Sequence, residues 1–168
     1  GRFYVYGSHD ASGVPEGRIA LLIDAAMAFG TGHHGTTLGC LRALDRMVEA
    51  GETPQKIADI GCGTGLVGPI LKRVARHLTG IDLSDAMLRL AKERGCYDVV
   101  RNADVLDAGS LYPGQFDLVV STDVLGYFGA LEPVLTSYRK CLRPSGHLIV
   151  TVEVADENAA PSGYQLQP

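Results

Sequence analysis

The sequence lacks a surplus of positive charge and any apolar run long enough to cross a membrane. Its 15 Lys and Arg residues stand against 19 Asp and Glu residues, and the formal net charge is −4. Such a balance gives no general field for attracting nucleic acid. Pro69 and charged neighbours interrupt the apolar stretches well short of a membrane span. We therefore expect neither a nucleic-acid partner nor a membrane partner.

The sequence also has few cysteines, and they follow neither metal-binding nor redox spacing. They are scattered along the chain at Cys40, Cys62, Cys96 and Cys141. We expect reduced, mostly buried thiols in a cytoplasmic protein, and no metal site. The composition, 46% hydrophobic and 20% charged over 168 residues, is typical of one globular domain with a substantial core.

A glycine-rich turn stands between a predicted buried strand and a predicted helix in residues 56–68, KIADIGCGTGLVG. The glycines occupy alternate positions, at Gly61, Gly63 and Gly65. Without side chains they permit a tight turn and let a ligand approach the backbone. Asp59 precedes the turn, and Asp82 ends the next apolar stretch, where an acidic residue commonly binds a ribose hydroxyl pair. Two carboxylates around such a turn suit a nucleoside that carries a cation and no pyrophosphate.

The string 59–65, DIGCGTG, together with Asp82, resembles the S-adenosylmethionine-dependent methyltransferases of the Rossmann-like class. The resemblance implies S-adenosylmethionine as cofactor and S-adenosylhomocysteine as product, with Asp59 beside the methionine part and Asp82 on the ribose. Two alternatives remain open. One is a turn that binds no ligand, and the other is a nicotinamide dinucleotide site, whose fingerprint needs glycine where Leu66 stands.

The same resemblance extends to the adenine end of the cofactor. In this class an Asp after the third core strand accepts from the adenine amino group and the next backbone amide meets the ring, and Asp104 and Val105 fit these positions. An Asx turn is the alternative for Asp104, and core packing is the alternative for Met87. The expected cofactor-binding residues are Phe29, Thr31, Asp59, Gly61, Cys62, Gly63, Gly65, Asp82, Leu83, Met87, Asp104, Val105 and Ser121.

A polar glycine-rich segment, MAFGTGHHGTT at 27–37, precedes an amphipathic helix. Residues 1 to about 50 resemble the ribosomal protein lysine methyltransferase family through FGTGHH at 29–34, followed by Thr36 and Thr37. The resemblance implies that this loop lies over the methionine end of the cofactor. The candidates for a catalytic base are Asp123, His33 and His34. Solvated loop histidines are the alternative for the last two.

From about residue 57 the chain resembles small methyltransferases of the ubiquinone-biosynthesis type, or those fused to helical repeats. The end of the fourth core strand, 121–127, departs from the Asn-containing pattern of the ribosomal family at the place that faces the acceptor. Two resemblances in one chain favour a chimeric or truncated origin.

Alternating strand and helix signals predict an α/β fold, a Rossmann-like three-layer sandwich with parallel sheet order 3-2-1-4-5. We expect a single methyltransferase-like domain over 1–168. Residues 1–35 would hold an N-terminal β-hairpin, built from 3–6 and 18–23, and the cofactor loop. The core would span 36–154, and 155–168 would be a tail. The sixth and seventh strands of the class are expected to be missing, which leaves a fifth core strand, 147–154, as an open edge.

Local patterns set finer expectations. Helices are predicted over 37–50, 66–76, 85–94 and 130–142. Ser84 and either Thr36 or Thr37 are expected as N-caps. A turn is predicted at 144–146. Met87, Leu88 and Ala91 in one helix, and Leu131, Val134, Leu135 and Tyr138 in another, are expected to face inward. The N-terminal hairpin is expected to cover an exposed sheet surface or edge, and it or the strand-five edge is expected to support a homodimer. The alternative is that the hairpin packs near the cofactor loop, as the resemblance to the ribosomal family implies, and leaves strand five bare.

The sequence thus predicts an S-adenosylmethionine-dependent methyltransferase that acts on an amine, oxygen or carbon acceptor, protein lysine among them. The acceptor is a small molecule or a protein. The competing interpretation is a catalytically inactive scaffold of this fold that binds the cofactor or nothing.

Overall fold

The computed structural model of the protein describes residues 3–6, 19–22 and 35–151. Within these ranges the strands are β1 (Phe3–Tyr6), β2 (Ile19–Leu22), β3 (Lys56–Ile60), β4 (His77–Asp82), β5 (Val99–Asn102), β6 (Phe116–Ser121) and β7 (Leu142–Val150). The helices are α1 (Gly35–Glu49), α2 (Gly68–Leu71), α3 (Asp85–Glu93), α4 (Ala108–Leu111) and α5 (Leu131–Cys141). A 3₁₀ turn, Leu125–Tyr127, lies between β6 and α5.

The larger sheet has five parallel strands in the order β5-β4-β3-β6-β7. Counted along the core, this is the predicted order 3-2-1-4-5, and the Rossmann-like α/β fold is confirmed. The central strand β3 pairs with β4 on one side and β6 on the other, so that Ile57 lies opposite both Leu78 and Leu118. The strand order reverses at β3, and ligands bind at the carboxyl ends of strands beside such a switch point.

Strand β3 is buried on both faces, as its apolar sequence predicts. Ile57 packs in a cluster with Leu41 and Leu44 of α1. The next residue, Ala58, points the other way and packs in a second cluster with Tyr138 of α5. Because side chains alternate along a strand, the two clusters form the two helix–sheet layers of the core.

The two N-terminal strands do not form the predicted hairpin. β1 and β2 pair in parallel, from Phe3 opposite Ile19 to Tyr6 opposite Leu22. Parallel pairing needs a connection of about a dozen residues or more, and the link at 7–18 meets that length, whereas a hairpin turns tightly. This pair forms a sheet of its own, so within the described residues it does not extend the edge of β7 by a ladder. Coverage of a sheet surface, and exchange between two copies, stay predictions.

Strand β7 begins earlier than predicted and absorbs the predicted turn as a bulge. Leu142 lies opposite Phe116 and His147 lies opposite Leu118, so residues 143–146 face the single residue Asp117. A bulge accommodates such extra residues and bends the strand. The predicted continuation to 154, the sixth and seventh strands and the tail lie outside the described residues.

The carboxylate of Asp117 secures this irregular edge. Its Oδ1 lies 2.9 Å from Nε of Arg143, and its Oδ2 accepts from the backbone amides of Gln55 at 2.7 Å and Lys56 at 2.9 Å. One buried side chain therefore ties the start of β3 to the bulge of β7.

Helix α2 is shorter than the predicted 66–76. Pro69 stands in its first turn, as expected. After Leu71 the chain continues in tighter turns, in which Arg73 and Val74 donate to carbonyls three residues back. The amide of His77 then donates to Gln55, at the start of β4. The early return to the sheet leaves no length for further α-helical turns.

The buried faces of α3 and α5 are narrower than predicted. Leu88 and Ala91 of α3 and Val134 and Tyr138 of α5 are buried as expected. Three predicted core residues are instead exposed at 38 to 42%: Met87, Leu131 and Leu135. The buried stripe of α5 runs through Val134, Ser137, Tyr138 and Cys141, so both leucines lie beside it.

The cap prediction holds for α3 alone. The Ser84 side chain accepts from the amide of Met87, whereas α1 already begins at Gly35, so Thr36 and Thr37 lie inside its first turn. All four cysteines are free, and all except the half-buried Cys96 are buried. No helix in the described ranges has the length and apolar character needed to cross a membrane.

Candidate functional site

The glycine turn follows β3 at the switch point, and its three glycines differ in what surrounds them. Gly61, Gly63 and Gly65 all have positive φ, of 75°, 52° and 77°. A Cβ on Gly61 would overlap the side chain of Val124, and one on Gly65 would lie 2.8 Å from the ring of Tyr97. A Cβ on Gly63 would meet no atom of the described part of the chain within 4 Å. The outer two glycines therefore serve internal packing, and Gly63 borders open space.

Asp82, at the end of β4, holds the turn from the side. Its Oδ2 accepts from the amide of Gly63 at 2.8 Å, and its Oδ1 accepts from the amide of Ser84 at 2.9 Å. The amides of Gly61 and Cys62 both donate to the carbonyl of Ile81, at 2.8 and 3.0 Å. A carboxylate has about four lone-pair directions. Asp82 therefore keeps capacity for a further hydroxyl pair beside Gly63.

Asp59, the penultimate residue of β3, is a buried carboxylate, and its Oδ1 has no partner among the described residues. It is 1% exposed, and Tyr97 donates its hydroxyl to Oδ2 at 2.6 Å. Oδ1 is buried and has no hydrogen-bond partner among the residues that the structure describes. The pKa of Asp59 is raised to about 6, mainly by burial; the Tyr97 hydrogen bond opposes this rise and the charge of Asp82 adds to it. An unpaired buried acceptor is rare in native structures, and this one suits a positively charged donor.

Tyr97 is a residue that sequence reasoning did not single out. It lies in the link between α3 and β5, and its ring occupies a slot bordered by Gly65, Gly68 and Gly80. A Cβ at Gly68 would come within 2.6 Å of the Tyr97 hydroxyl oxygen, and one at Gly80 within 2.9 Å of the ring. The available signal was the small residues at these positions, but their separation along the chain gives no indication of a shared neighbour.

The expected adenine side has a mixed outcome. Asp104 forms the Asx turn that is its alternative interpretation, because its Oδ1 accepts from the amide of Leu106 at 2.9 Å. Val105 is buried, and its carbonyl accepts from Ser137 Oγ at 2.6 Å. Leu83 and Met87 are 66% and 42% exposed next to Asp82. They offer apolar surface there, and adenine contact at these positions stays a prediction.

Ser121 lies at the end of β6 and is fully buried. Its Oγ donates to the carbonyl of Ile60 at 2.8 Å and lies 2.8 Å from the hydroxyl of Tyr138. Since its own proton goes to Ile60, Tyr138 donates to it. The side chain is committed to holding β6 to β3 and α5, and cofactor binding by Ser121 stays a prediction.

Asp123 lies two residues beyond β6, with φ of 57°. Asp tolerates this left-handed region better than most residues, and non-glycine residues held there are frequent at functional sites. Its amide donates to Thr151 Oγ1 at 3.0 Å. Burial raises the pKa of Cys40 on α1 to about 12, and the charges of Asp59 and Asp123 add to the rise. The other base candidates, His33 and His34, and the cofactor candidates Phe29 and Thr31 lie outside the described residues.

The acceptors and the open space of the candidate site fit S-adenosylmethionine. The unpaired Oδ1 of Asp59 matches an ammonium group, the open space at Gly63 admits a ligand, and Asp82 keeps acceptor capacity for hydroxyls. Among the described side chains no group of three His, Cys, Asp or Glu residues gathers in a way that could hold a metal ion.

Comparison with known proteins identifies the family. A family profile described as ribosomal protein L11 methyltransferase matches residues 1–157. The chain belongs to the ribosomal protein L11 methyltransferase family. The family match runs without a break across residues 50–57, where the resemblance was predicted to change, and it gives no support for a chimeric origin.

Curated relatives in the ribosomal protein L11 methyltransferase family align with nearly the whole chain. That of Rhodopseudomonas palustris is 35% identical over 159 residues, which cover 90% of this chain and 52% of the relative. That of Brucella abortus is 32% identical over 176 residues, which cover 99% of this chain and 60% of the relative. The chain spans about half the length of the curated relatives it matches.

Solved structures support the same fold. The ribosomal protein L11 methylase of Lactobacillus delbrueckii subsp. bulgaricus aligns with a TM-score of 0.63 at 23% identity, over 82% of this chain and 67% of that one. A protein of Pyrococcus horikoshii aligns with a TM-score of 0.57 at 28% identity, over 68% of this chain and 55% of that one. The first shares the fold at an identity too low to carry function by itself.

Proposed function

We propose that this chain carries the cofactor site of an S-adenosylmethionine-dependent methyltransferase that acts on an amine of a protein. The observation that carries the proposal is the buried Oδ1 of Asp59, which has no partner among the described residues and lies on the strand that leads into the glycine turn. Relatives that align with most of the chain are named ribosomal protein L11 methyltransferase. We therefore propose a ribosomal protein of the L11 type as the methyl acceptor.

In this proposal Asp59 and Asp82 bind different parts of the cofactor. Asp59 accepts a hydrogen bond from the ammonium group of the cofactor's methionine part. Asp82 keeps the glycine turn in place and accepts from the ribose hydroxyls. The exposed side chains of Leu83 and Met87 cover the adenine, and Asp104 and Val105 meet its polar edge. The loop with Phe29 and Thr31 closes the methionine end.

The cofactor supplies a methyl group on a sulfonium, and transfer is an in-line displacement on that carbon. The protein must therefore hold the acceptor at near-attack distance and exclude water. An amine that arrives protonated also needs a base. We propose Asp123, His33 or His34 for this step. Asp123 follows the carboxyl end of β6 and precedes Val124, which packs against Gly61 of the turn. We also propose a cytoplasmic location and a homodimer, both from the sequence.

Two measurements test the function and separate it from an inert scaffold. Calorimetric titration with S-adenosylmethionine separates a cofactor-binding protein from a fold that binds nothing. A methyl-release assay, with a purified L11-type ribosomal protein and with small amines as separate acceptors, separates an enzyme from a binder. Turnover on small amines alone would contradict a protein acceptor, and binding without turnover on any acceptor would favour the scaffold.

Asp82→Asn is expected to weaken binding of S-adenosylhomocysteine about tenfold, because hydrogen bonds to a charged acceptor are replaced by bonds to a neutral one. Calorimetry at pH 7.5 gives the dissociation constant. Glu52→Gln is the matched control, since Glu52 is exposed and lies before β3, at the opposite end of the strand from the turn. An unchanged dissociation constant in Asp82→Asn, with normal melting, would remove Asp82 from the site.

A further inference from the structure

Tyr97 reaches the cofactor site from beneath the glycine turn. Its ring lies against Gly65, Gly68 and Gly80, where a Cβ would come within 2.8, 2.6 and 2.9 Å of it. These three glycines belong to the turn, to α2 and to β4. A ring enclosed by three elements has no room to swing away, so the position of its hydroxyl group is fixed by packing.

The fixed hydroxyl determines how Asp59 is oriented. Tyr97 donates to Oδ2 at 2.6 Å, and Oδ1 is left buried without a partner. Rotation of a free carboxylate would exchange its two oxygens, because that terminal torsion is broad. The bond from Tyr97 distinguishes them, so that Oδ2 is held by Tyr97 and Oδ1 is the oxygen without a partner among the described residues.

We propose that Tyr97 is a positioning residue, which fixes Asp59 so that Oδ1 alone faces the cofactor's ammonium group and which keeps that carboxylate ionised. The inference rests on the proposed function. Tyr97 touches no cofactor atom in this account and acts only through Asp59.

The surroundings of Asp59 explain why this help is needed. The titratable groups that face it from the described elements are acidic or neutral: Asp82 on β4, Cys40 on α1, Cys62 in the turn, and Cys96 and Tyr97 before β5. No cation in this set stabilises the charge. Burial raises the pKa of Asp59 to about 6, and the Tyr97 hydrogen bond opposes that rise.

The direction of the pH effect follows. Neutral Asp59 does not hold an ammonium group, so affinity for the cofactor falls as the pH drops through the pKa of Asp59. Removing the Tyr97 hydroxyl leaves burial unopposed and moves that pKa upward. The variant should therefore lose affinity at a higher pH than the wild-type protein.

The test is the dissociation constant of S-adenosylhomocysteine, measured by calorimetry from pH 5 to pH 8 for the wild-type protein and Tyr97→Phe. The midpoint of the affinity loss should shift upward by roughly one pH unit in the variant, which is about the effect of one hydrogen bond to a charged group. Tyr138→Phe is the matched control. Its hydroxyl is also buried and bonded, to Ser121, and its loss should leave the midpoint unchanged.

The outcomes separate the two proposals. Binding by the wild-type protein with the same midpoint in Tyr97→Phe overturns the role of Tyr97 alone. Equal shifts in Tyr97→Phe and Tyr138→Phe also overturn it, since the shift would then come from general loosening. Absence of wild-type binding at every pH overturns the proposed function and this inference with it.

A second variant covers the case in which Tyr97→Phe does not fold. Site-specific 3-fluorotyrosine at position 97 keeps the ring and makes the hydroxyl a stronger donor. The midpoint should then move to lower pH than in the wild-type protein. A midpoint that stays in place or moves upward contradicts the proposal.

Discussion

Gly61→Ala is expected to destabilise the folded protein by about 3 kcal/mol, whereas Gly63→Ala is expected to fold and to lose cofactor binding. Both positions have positive φ, which costs an alanine about 1–2 kcal/mol. Only at Gly61 would the new Cβ also overlap Val124, and overpacking of this kind adds about 1–3 kcal/mol. At Gly63 the methyl group meets no atom of residues 3–6, 19–22 and 35–151 within 4 Å, and it enters the space assigned to the cofactor. Urea unfolding and calorimetry with S-adenosylhomocysteine measure the two effects.

Gly51→Ala is the control for both variants. Gly51 has φ of 87°, and a methyl group there would have no neighbour within 4 Å. It lies between α1 and β3, before the strand, whereas the turn follows the strand. The variant should lose stability about as Gly63→Ala does and bind the ligand normally. Normal binding by Gly63→Ala would show that the open space is not the cofactor's. Equal stability of Gly61→Ala and Gly51→Ala would show that Val124 moves aside freely.

Asp59→Asn is expected to abolish cofactor binding, with a loss of about 100-fold or more, while making the ligand-free protein more stable at neutral pH. The binding loss follows from removal of a charge-assisted bond to the ammonium group. The stability gain follows from the pKa of Asp59, which lies at about 6 in the folded protein against 3.8 for an ordinary Asp. Stability from a raised pKa is present below the unfolded value and is lost as the pH rises through the folded value.

The measured quantity is the difference in free energy of unfolding between Asp59→Asn and the wild-type protein. It should move in favour of the variant by about 2 kcal/mol between pH 4 and pH 7. Asp98→Asn should give the opposite sign, because hydrogen bonds from Lys72 and from the amide of Leu78 lower the pKa of Asp98. A flat difference for Asp59→Asn would mean that its carboxylate is not penalised by burial. Undiminished binding would remove Asp59 from the site.

The sequence predicted the sheet order and the position of the glycine turn after the central strand because these depend on local patterns. The apolar run before Gly61 could only be a buried strand, and the alternation of strands and helices leaves few topologies once right-handed crossovers are assumed. Asp82 was placed correctly at the end of β4 because its position depends on the length of one βαβ unit.

The features that the sequence did not predict depend on contacts between distant residues. Nothing local indicates that Tyr97 meets Asp59, 38 positions away, or that Asp117 draws residues 143–146 into a bulge rather than a free turn. The parallel pairing of β1 and β2 was missed because both residue patterns fit either direction. Leu131 and Leu135 were assigned to the core from spacing alone, whereas the buried stripe of α5 is centred on Val134 and Tyr138.

The slot around Tyr97 also limits the order in which this protein can change during evolution. A larger residue at Gly65, Gly68 or Gly80 collides with the ring as long as Tyr97 is present. Gly65 also has positive φ, and a Cβ at Gly68 would also lie 2.7 Å from Cys96 Sγ. A smaller residue at position 97 therefore relieves Gly80 most, and a substitution there has to follow the loss of the ring. A smaller residue at position 97 in turn leaves a void until one of the glycines grows. The effects of these substitutions are therefore not additive, and a double-mutant cycle of Gly80→Ala with Tyr97→Leu should give a coupling in which the pair is less harmful than the sum of its members. Lineages that lose Tyr97 are expected to replace Gly80 afterwards, and not before.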